Sequence, residues 1–206
     1  MDLRNALEEI EEIRRRLSRA VVFRGYRALP TALSGVLALA AAIVQSLFLE
    51  DPASHVERWT TLWIVTAAFA FAIAASPLAI ELFAKPRSLR RSQTGQALEQ
   101  LLPALVAGAV LTTAVLRFSP EAASLLPGLW QILFALAIFA SGHLLPKEVG
   151  FVALFYLVTG SLALGLASTE HSFSPWTMGL PFFSGQLAAG LILYFRLERN
   201  VVQEEA

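Results

Sequence analysis

The sequence predicts an all-α integral membrane protein, in which a bundle of six transmembrane helices follows a cytoplasmic amphipathic helix. Three observations predict this fold. The 206 residues are 56% hydrophobic and only 16% charged, whereas soluble domains carry about a quarter charged residues. Six long apolar stretches follow one another along the chain, each near the ~20 residues that cross a bilayer as a helix. The basic residues lie almost entirely on one side of these stretches.

The distribution of Lys and Arg predicts the orientation of the bundle. If the six stretches cross a membrane, 14 of the 16 basic residues lie on one side, and only Arg58 and Arg117 lie on the other. Short loops rich in Lys and Arg remain in the cytoplasm. We therefore expect a multi-pass protein with both termini cytoplasmic. Arg outnumbers Lys 14 to 2, which is typical of GC-rich bacterial genomes and favours a bacterial cytoplasmic (inner) membrane.

Residues 1–27 are predicted to form the cytoplasmic amphipathic helix. At 100° per residue, Leu3, Leu7, Ile10 and Leu17 share one face, and charged residues occupy the opposite arc. This segment lacks the uninterrupted apolar core of a cleavable signal peptide. Its apolar stripe must be covered by lipid headgroups, by the protein's own loops or by a second copy.

The transmembrane domain is predicted over residues 28–197, followed by a cytoplasmic tail over 198–206. Pro30 opens the first span, a position where proline is tolerated, and Pro77 predicts a kink in the second. Lys85 and Pro86 begin a basic cytoplasmic loop that extends to Gln96. The predicted spans cover residues 29–49, 59–84, 97–118, 128–145, 149–167 and 176–197.

Aromatic residues mark the predicted ends of the spans. Trp and Tyr concentrate at the headgroup level of both membrane surfaces. We therefore predict that the tryptophans lie in an aromatic belt at the outer surface. The residues concerned are Trp59, Trp63, Trp130 and Trp176 at outer ends, and Tyr26 and Tyr194 at inner ends.

No constellation in the sequence supports catalysis. The chain has no cysteine, which excludes thiolate nucleophiles and Cys-ligated metals. Glu11–Arg16 and Phe139–His143 resemble two motifs of the intramembrane CAAX proteases, but the second histidine motif of that family is missing. The glutamates also lie on the charged face of a helix that precedes the first span. We therefore expect no catalytic, cofactor-binding or metal-binding residues, and no enzyme.

Neutral polar residues lie deep in the predicted bilayer. Gln186 is near the middle of the sixth span, and Thr159 lies at a similar depth in the fifth. Such groups bridge neighbouring helices or, alternatively, line a substrate pocket. The candidate midplane polar cluster consists of Gln186, Thr159, Tyr156 and Ser76.

Ionisable residues lie near the predicted cytoplasmic ends of the spans. They form either an interfacial belt of salt bridges that reaches water or a titratable vestibule for protons or a small solute. The candidate cytoplasmic mouth consists of Glu81, Glu99, His143 and Glu148.

Clustered arginines next to the spans predict contact with anionic lipid headgroups, because each basic residue near the surface contributes about 1 kcal/mol of attraction. The position beside the first span favours lipid over nucleic acid. The candidate lipid contacts are Arg14, Arg19, Arg24, Arg27, Arg87, Arg90 and Arg91.

These patterns predict a non-enzymatic subunit or scaffold of a membrane complex, which docks through its N-terminal helix. The expected partners are the lipid bilayer with its anionic headgroups and either further copies of the chain or another membrane-complex subunit; no nucleic acid is expected. The alternative is a small-solute or ion transporter or channel that uses the midplane cluster. A membrane-embedded enzyme is the third hypothesis.

Overall fold

The computed structural model describes residues 28–84, 90–142 and 145–199, and these residues form helices joined by turns, without strands. The predicted amphipathic helix over 1–27 and the last residues of the tail lie outside the described residues. The described helices follow one another along the chain as six main elements. They are α1 (Ala28–Phe48), α2 (Val56–Ala84), α3 (Arg90–Phe118), α4 (Leu126–Ala140), α5 (Val149–Gly165) and α6 (Pro175–Leu193), with a 3₁₀ turn over Pro120–Leu125 and a π turn over Tyr194–Glu198.

The described helices are those of a helical membrane protein in length and composition. Four apolar stretches are long enough to cross a membrane, namely Ala28–Phe48, Val56–Pro77, Pro120–Ala140 and Pro175–Arg196. Two further apolar helices, Leu102–Phe118 and Val149–Gly165, are shorter. The prediction of an all-helical fold built on long apolar helices is confirmed.

The start of α3 differs from the sequence-based prediction. The helix begins at Arg90, whereas the predicted span began near residue 97 and residues 90–96 were assigned to a loop. The difference arises because the first residues of α3 are polar, so hydropathy does not mark them. A helix can project past the apolar layer, since its backbone hydrogen bonds are internal.

The end of α4 also differs from the prediction, which extended the span to residue 145. The helix ends at Ala140, and a turn follows in which the Ser141 amide bonds to the Ala137 carbonyl and the Gly142 amide to the Phe139 carbonyl. At the other end, Pro127 lies in the first turn of α4, where its missing N–H breaks no helical hydrogen bond.

Close backbone approach builds the interface between α1 and α6, which is the most extensive in the described structure. A Cβ added to Gly179 would lie 2.4 Å from the Ala42 Cβ, and one added to Gly35 would lie 2.8 Å from the Gln186 Cβ. Both separations are shorter than real carbon contacts. Any larger residue would push the helices apart, as expected for packing on small residues within a membrane.

A second pair of glycines joins α4 to α5. A Cβ on Gly128 would lie 2.7 Å from the Gly160 carbonyl oxygen, and a Cβ on Gly160 would lie 2.9 Å from the Gly128 carbonyl oxygen. Each backbone therefore faces the other without a side chain between them. Such crossings bring Cα hydrogens close to carbonyl oxygens, which adds weak attraction.

The helices pack in the order α2, α1, α6, α5, α4 and α3. The row curves back at one end of the bundle, where Trp59 of α2 contacts Trp130 of α4. A core cluster there includes Ala42, Leu126 and Met178. This end of the bundle carries the main group of buried polar side chains.

Candidate functional site

Two members of the candidate midplane cluster come together between α5 and α6. Tyr156 is fully buried, and its ring packs edge-on against Phe134 with the ring centroids 5.0 Å apart. Its hydroxyl donates to the Phe182 carbonyl oxygen at 3.5 Å, and the Gln186 side chain lies beside it. The helix–helix contact fills the space around the hydroxyl, because a Cβ on Gly185 would lie 2.5 Å from it.

The other two members bond to their own helices. The Thr159 hydroxyl donates to the Phe155 carbonyl oxygen at 3.1 Å, and the Ser76 hydroxyl donates to the Ile73 carbonyl oxygen at 2.8 Å. Such bonds to the preceding turn satisfy a hydroxyl locally. Ser76 is exposed on α2. The structure thus pairs Tyr156 with Gln186, and it gives Thr159 and Ser76 partners within their own helices.

Of the candidate cytoplasmic mouth, Glu148 has a described partner. Its carboxylate forms an ion pair with Arg196, which joins the α4–α5 turn to the π turn after α6. Both side chains are partly exposed, so the pair contributes little to stability, in the range of about 0–1 kcal/mol. Glu81 lies in α2 and Glu99 in α3. The side chains of these two glutamates, together with His143, lie outside the described part of the chain.

The predicted lipid contacts fall largely outside the described residues. Arg90 and Arg91 form the start of α3, but their side chains are not described. The contacts that lie wholly outside the described residues are Arg14, Arg19, Arg24, Arg27 and Arg87.

The structure forms a buried cluster that the sequence analysis did not predict. We call it the tryptophan cluster and define it as Gln45, Trp59, Trp63, Trp130 and Phe173. The Trp63 indole N–H donates to Gln45 Oε1 at 2.7 Å, and Gln45 Nε2 donates to the Phe173 carbonyl oxygen at 2.7 Å. One amide therefore joins α1, α2 and the loop before α6.

Aromatic rings complete the tryptophan cluster. Trp59 stacks on Trp130 with ring centroids 5.5 Å apart and meets Phe173 edge-on at 5.0 Å. The Trp130 indole N–H donates to Thr112 Oγ1 at 2.9 Å, which joins α4 to α3. Offset and edge-on ring pairs of this kind contribute about 0.5–1.5 kcal/mol beyond the burial of their area.

The predicted aromatic belt is wrong for two of its tryptophans. Trp59 and Trp63 are 0% and 3% exposed, respectively, whereas Trp176 is 45% exposed as a belt residue would be. The belt and the cluster share the same sequence signal, a tryptophan at the end of an apolar helix. Which face of the helix meets a neighbour decides between them, and hydropathy does not contain that information.

A second amide lies beside the cluster in α4. Gln131 is fully buried, and its Nε2 donates to the Thr177 carbonyl oxygen of α6 at 3.0 Å and to the Pro127 carbonyl oxygen at 3.2 Å. Its Oε1, like the indole nitrogen of Trp59, has no hydrogen-bond partner among the described residues. Buried groups of this kind are few in folded proteins.

The chemistry of the two amides and the cluster is neutral. Their donors and acceptors are amides, indoles, a hydroxyl and backbone carbonyls, so they hold helices together without carrying charge. Within the described ranges, no group of three or more His, Asp or Glu side chains is placed to hold a metal ion. Sequence analysis missed Gln45 and Gln131, although each is a lone amide in an apolar helix, the same signal that singled out Gln186.

The fold and the buried amides define the class of the protein as a helical membrane protein in which a few buried polar side chains join neighbouring helices. Comparison of the chain with protein-family models, with curated proteins and with solved structures finds no match.

Proposed function

We propose that this protein is a non-enzymatic subunit or scaffold of a membrane complex, with six transmembrane crossings and both termini in the cytoplasm. It binds other membrane-embedded chains through the peripheral helices α2 and α3. The predicted N-terminal helix, which lies outside the described residues, serves as its cytoplasmic docking element.

The uneven burial of α2 is the observation that carries this proposal. The buried side chains of its described part all lie near its start, namely Trp59, Thr60, Trp63 and Thr66. Between residues 67 and 77, no α2 side chain is buried. This segment is rich in alanine, and small residues let a second helix approach closely.

The described part of α3 shows the same pattern. None of its side chains between residues 102 and 111 is buried, and Thr112 is the first that is. The tryptophan cluster therefore anchors α2 and α3 at one end, and no side chain is buried over residues 67–77 of α2 or 102–111 of α3. These two segments provide a surface for a further transmembrane chain.

The packing around the polar side chains of the candidate midplane cluster favours binding over transport. The Tyr156 hydroxyl is bonded to the Phe182 carbonyl oxygen beside the Gln186 side chain, and glycine backbones lie directly against both side chains. A transport site needs polar groups that a solute can reach. Groups packed in this way act instead as contacts between helices, which in membranes contribute on average about 0.6 kcal/mol each.

Photo-crosslinking tests the proposed surface. A benzoylphenylalanine at Phe69, which is 61% exposed on α2, should form a discrete adduct with another protein in native membranes. The matched control is the same residue at Phe151 of α5, which is 73% exposed and should yield no protein adduct. The mass of the adduct identifies either a second copy or a different subunit.

A second variant tests whether the N-terminal helix binds the same partner as the surface on α2 and α3. Replacing Leu7 and Leu17 by Ser should reduce the Phe69 adduct if the helix docks the same partner, and should leave the bundle inserted. Equal yields of protein adduct at Phe69 and Phe151, or none at either position, would contradict the proposal.

Cysteine labelling tests the proposed topology, because the natural chain has no cysteine. In sealed inverted and right-side-out vesicles, a membrane-impermeant maleimide should label Ala53→Cys and Glu170→Cys from the outside only. Lys147→Cys should react from the cytoplasmic side only. All three positions are exposed loop residues, so accessibility reports sidedness rather than burial. Labelling of Lys147→Cys from the outside would overturn the six-crossing topology.

A further inference from the structure

An apolar groove runs between α1 and α6, where α1 begins and α6 ends. It encloses about 310 Å³. Its floor is made by small residues, because a Cβ on Gly190 would lie 2.9 Å from the Ala28 carbonyl oxygen and leave no room for a side chain. The residues that line the groove are Ala28, Leu29, Ala32, Leu187, Gly190, Leu191 and Tyr194.

The groove opens sideways, away from the bundle. Leu29 is 68% exposed and Leu191 is 51% exposed, so the walls project towards the surrounding bilayer. Leucines flank the glycine and alanine floor. Among the described residues that line the groove, Tyr194 alone carries a polar side-chain group.

Two successive contacts connect Tyr194, which lines the groove, to a cation. The Tyr194 ring meets the Phe195 ring edge-on with centroids 5.4 Å apart, and the Arg199 guanidinium carbon lies 5.8 Å from the Phe195 centroid. The π turn over Tyr194–Glu198 connects these residues to α6. Arg199 is exposed, and its contact is with a neutral ring, so among the described residues no carboxylate pairs with it.

We propose that the groove binds one acyl chain of an anionic phospholipid, with the lipid phosphate at Arg199. Within a bilayer the hydrophobic effect does not favour the groove over other lipid, so van der Waals fit and headgroup charge must supply the preference. The groove supplies the fit and Arg199 supplies the charge. Tyr194 stands between them, at the level where chain and headgroup meet. This inference requires only that the bundle lies in a membrane, and it does not depend on a protein partner.

Native mass spectrometry of the full chain, released from nanodiscs of equal parts phosphatidylglycerol and phosphatidylcholine, tests the proposal. One phosphatidylglycerol should be retained about five-fold over phosphatidylcholine, which corresponds to the attraction of one basic residue near the surface. Arg199→Gln should bring the ratio close to one. Leu191→Trp should fill the groove and reduce retention of both lipids.

Matched controls keep the test specific. Arg117→Gln removes an exposed arginine at the opposite end of the bundle, and Leu162→Trp enlarges a leucine that is 64% exposed on α5. Both should retain lipid as the natural chain does. Equal retention of the two lipids by the natural chain, an unchanged ratio in Arg199→Gln, or full retention in Leu191→Trp would each overturn the proposal.

Discussion

Gly179→Leu is expected to cause the largest loss of stability among single substitutions in the bundle. Since a single Cβ at this position would already lie 2.4 Å from the Ala42 Cβ, the new side chain must separate α1 from α6. None of the described glycines has a positive φ, so the cost comes from space rather than from backbone conformation. Overpacking typically costs about 1–3 kcal/mol, and a contact with a short, rigid side chain belongs at the upper end.

Thermal unfolding in mild detergent measures this effect. At about 3 kcal/mol, the midpoint should fall by about 6–12 °C for a chain of this size. Gly165→Leu is the matched control, because a Cβ there meets nothing within 4 Å. It should leave the midpoint nearly unchanged. Equal midpoints for the two variants would show that α1 and α6 do not pack as closely as described.

Gln45→Leu is expected to produce the second largest effect, because one side chain holds three segments together. The change leaves the Trp63 indole N–H and the Phe173 carbonyl without their partner, at a site where Trp63 is 3% exposed. Leaving buried groups unpaired costs about 1–3 kcal/mol. We expect a loss of about 2 kcal/mol, above the average for interhelical hydrogen bonds in membranes.

A double-mutant cycle isolates the Gln45–Trp63 bond. Trp63→Phe removes the indole donor, so Gln45→Leu should cost less in that background, with a coupling of about 1 kcal/mol in the free energy of unfolding. Strict additivity of the two changes would contradict the proposed role of the bond.

Gln186→Leu provides the comparison within the candidate midplane cluster. It should cost less than Gln45→Leu, since the Tyr156 hydroxyl keeps the Phe182 carbonyl as an acceptor.

Gln186→Leu also addresses the alternative of transport. If the variant folds, inserts into the membrane and retains cellular function, the result would indicate that Gln186 acts as a contact between helices. A variant that folds but loses solute flux would instead favour the transporter hypothesis over the scaffold.

The sequence predicted the positions of the helices better than their ends. Apolar runs locate the middle of each helix, but the polar start of α3 at Arg90 and the turn after Ala140 depend on local hydrogen bonds. A turn such as Ser141–Gly142 ends a helix within a hydrophobic stretch. Hydropathy therefore extends the predicted helix past its actual end.

The candidate site was predicted only in part. The position of a residue along its helix can be counted from the sequence, but the side of the helix that faces a neighbouring helix cannot. Residue counting along a helix predicts depth, and of the four residues that it placed in one cluster, Tyr156 and Gln186 lie side by side. The count also singled out Ser76, which is exposed and bonded to its own helix. The side of the helix that meets a neighbour is needed to tell these cases apart.

The sequence by itself determined that this is an all-helical protein with long apolar helices, because segment length and hydropathy are properties of the chain read in one dimension. Only the tertiary structure decided that Trp59 and Trp63 are buried in a cluster around Gln45. It also decided that no side chain is buried over residues 67–77 of α2 or 102–111 of α3. Both outcomes depend on where glycines allow backbones to approach, and that follows from the pairing of helices in three dimensions rather than from any single segment.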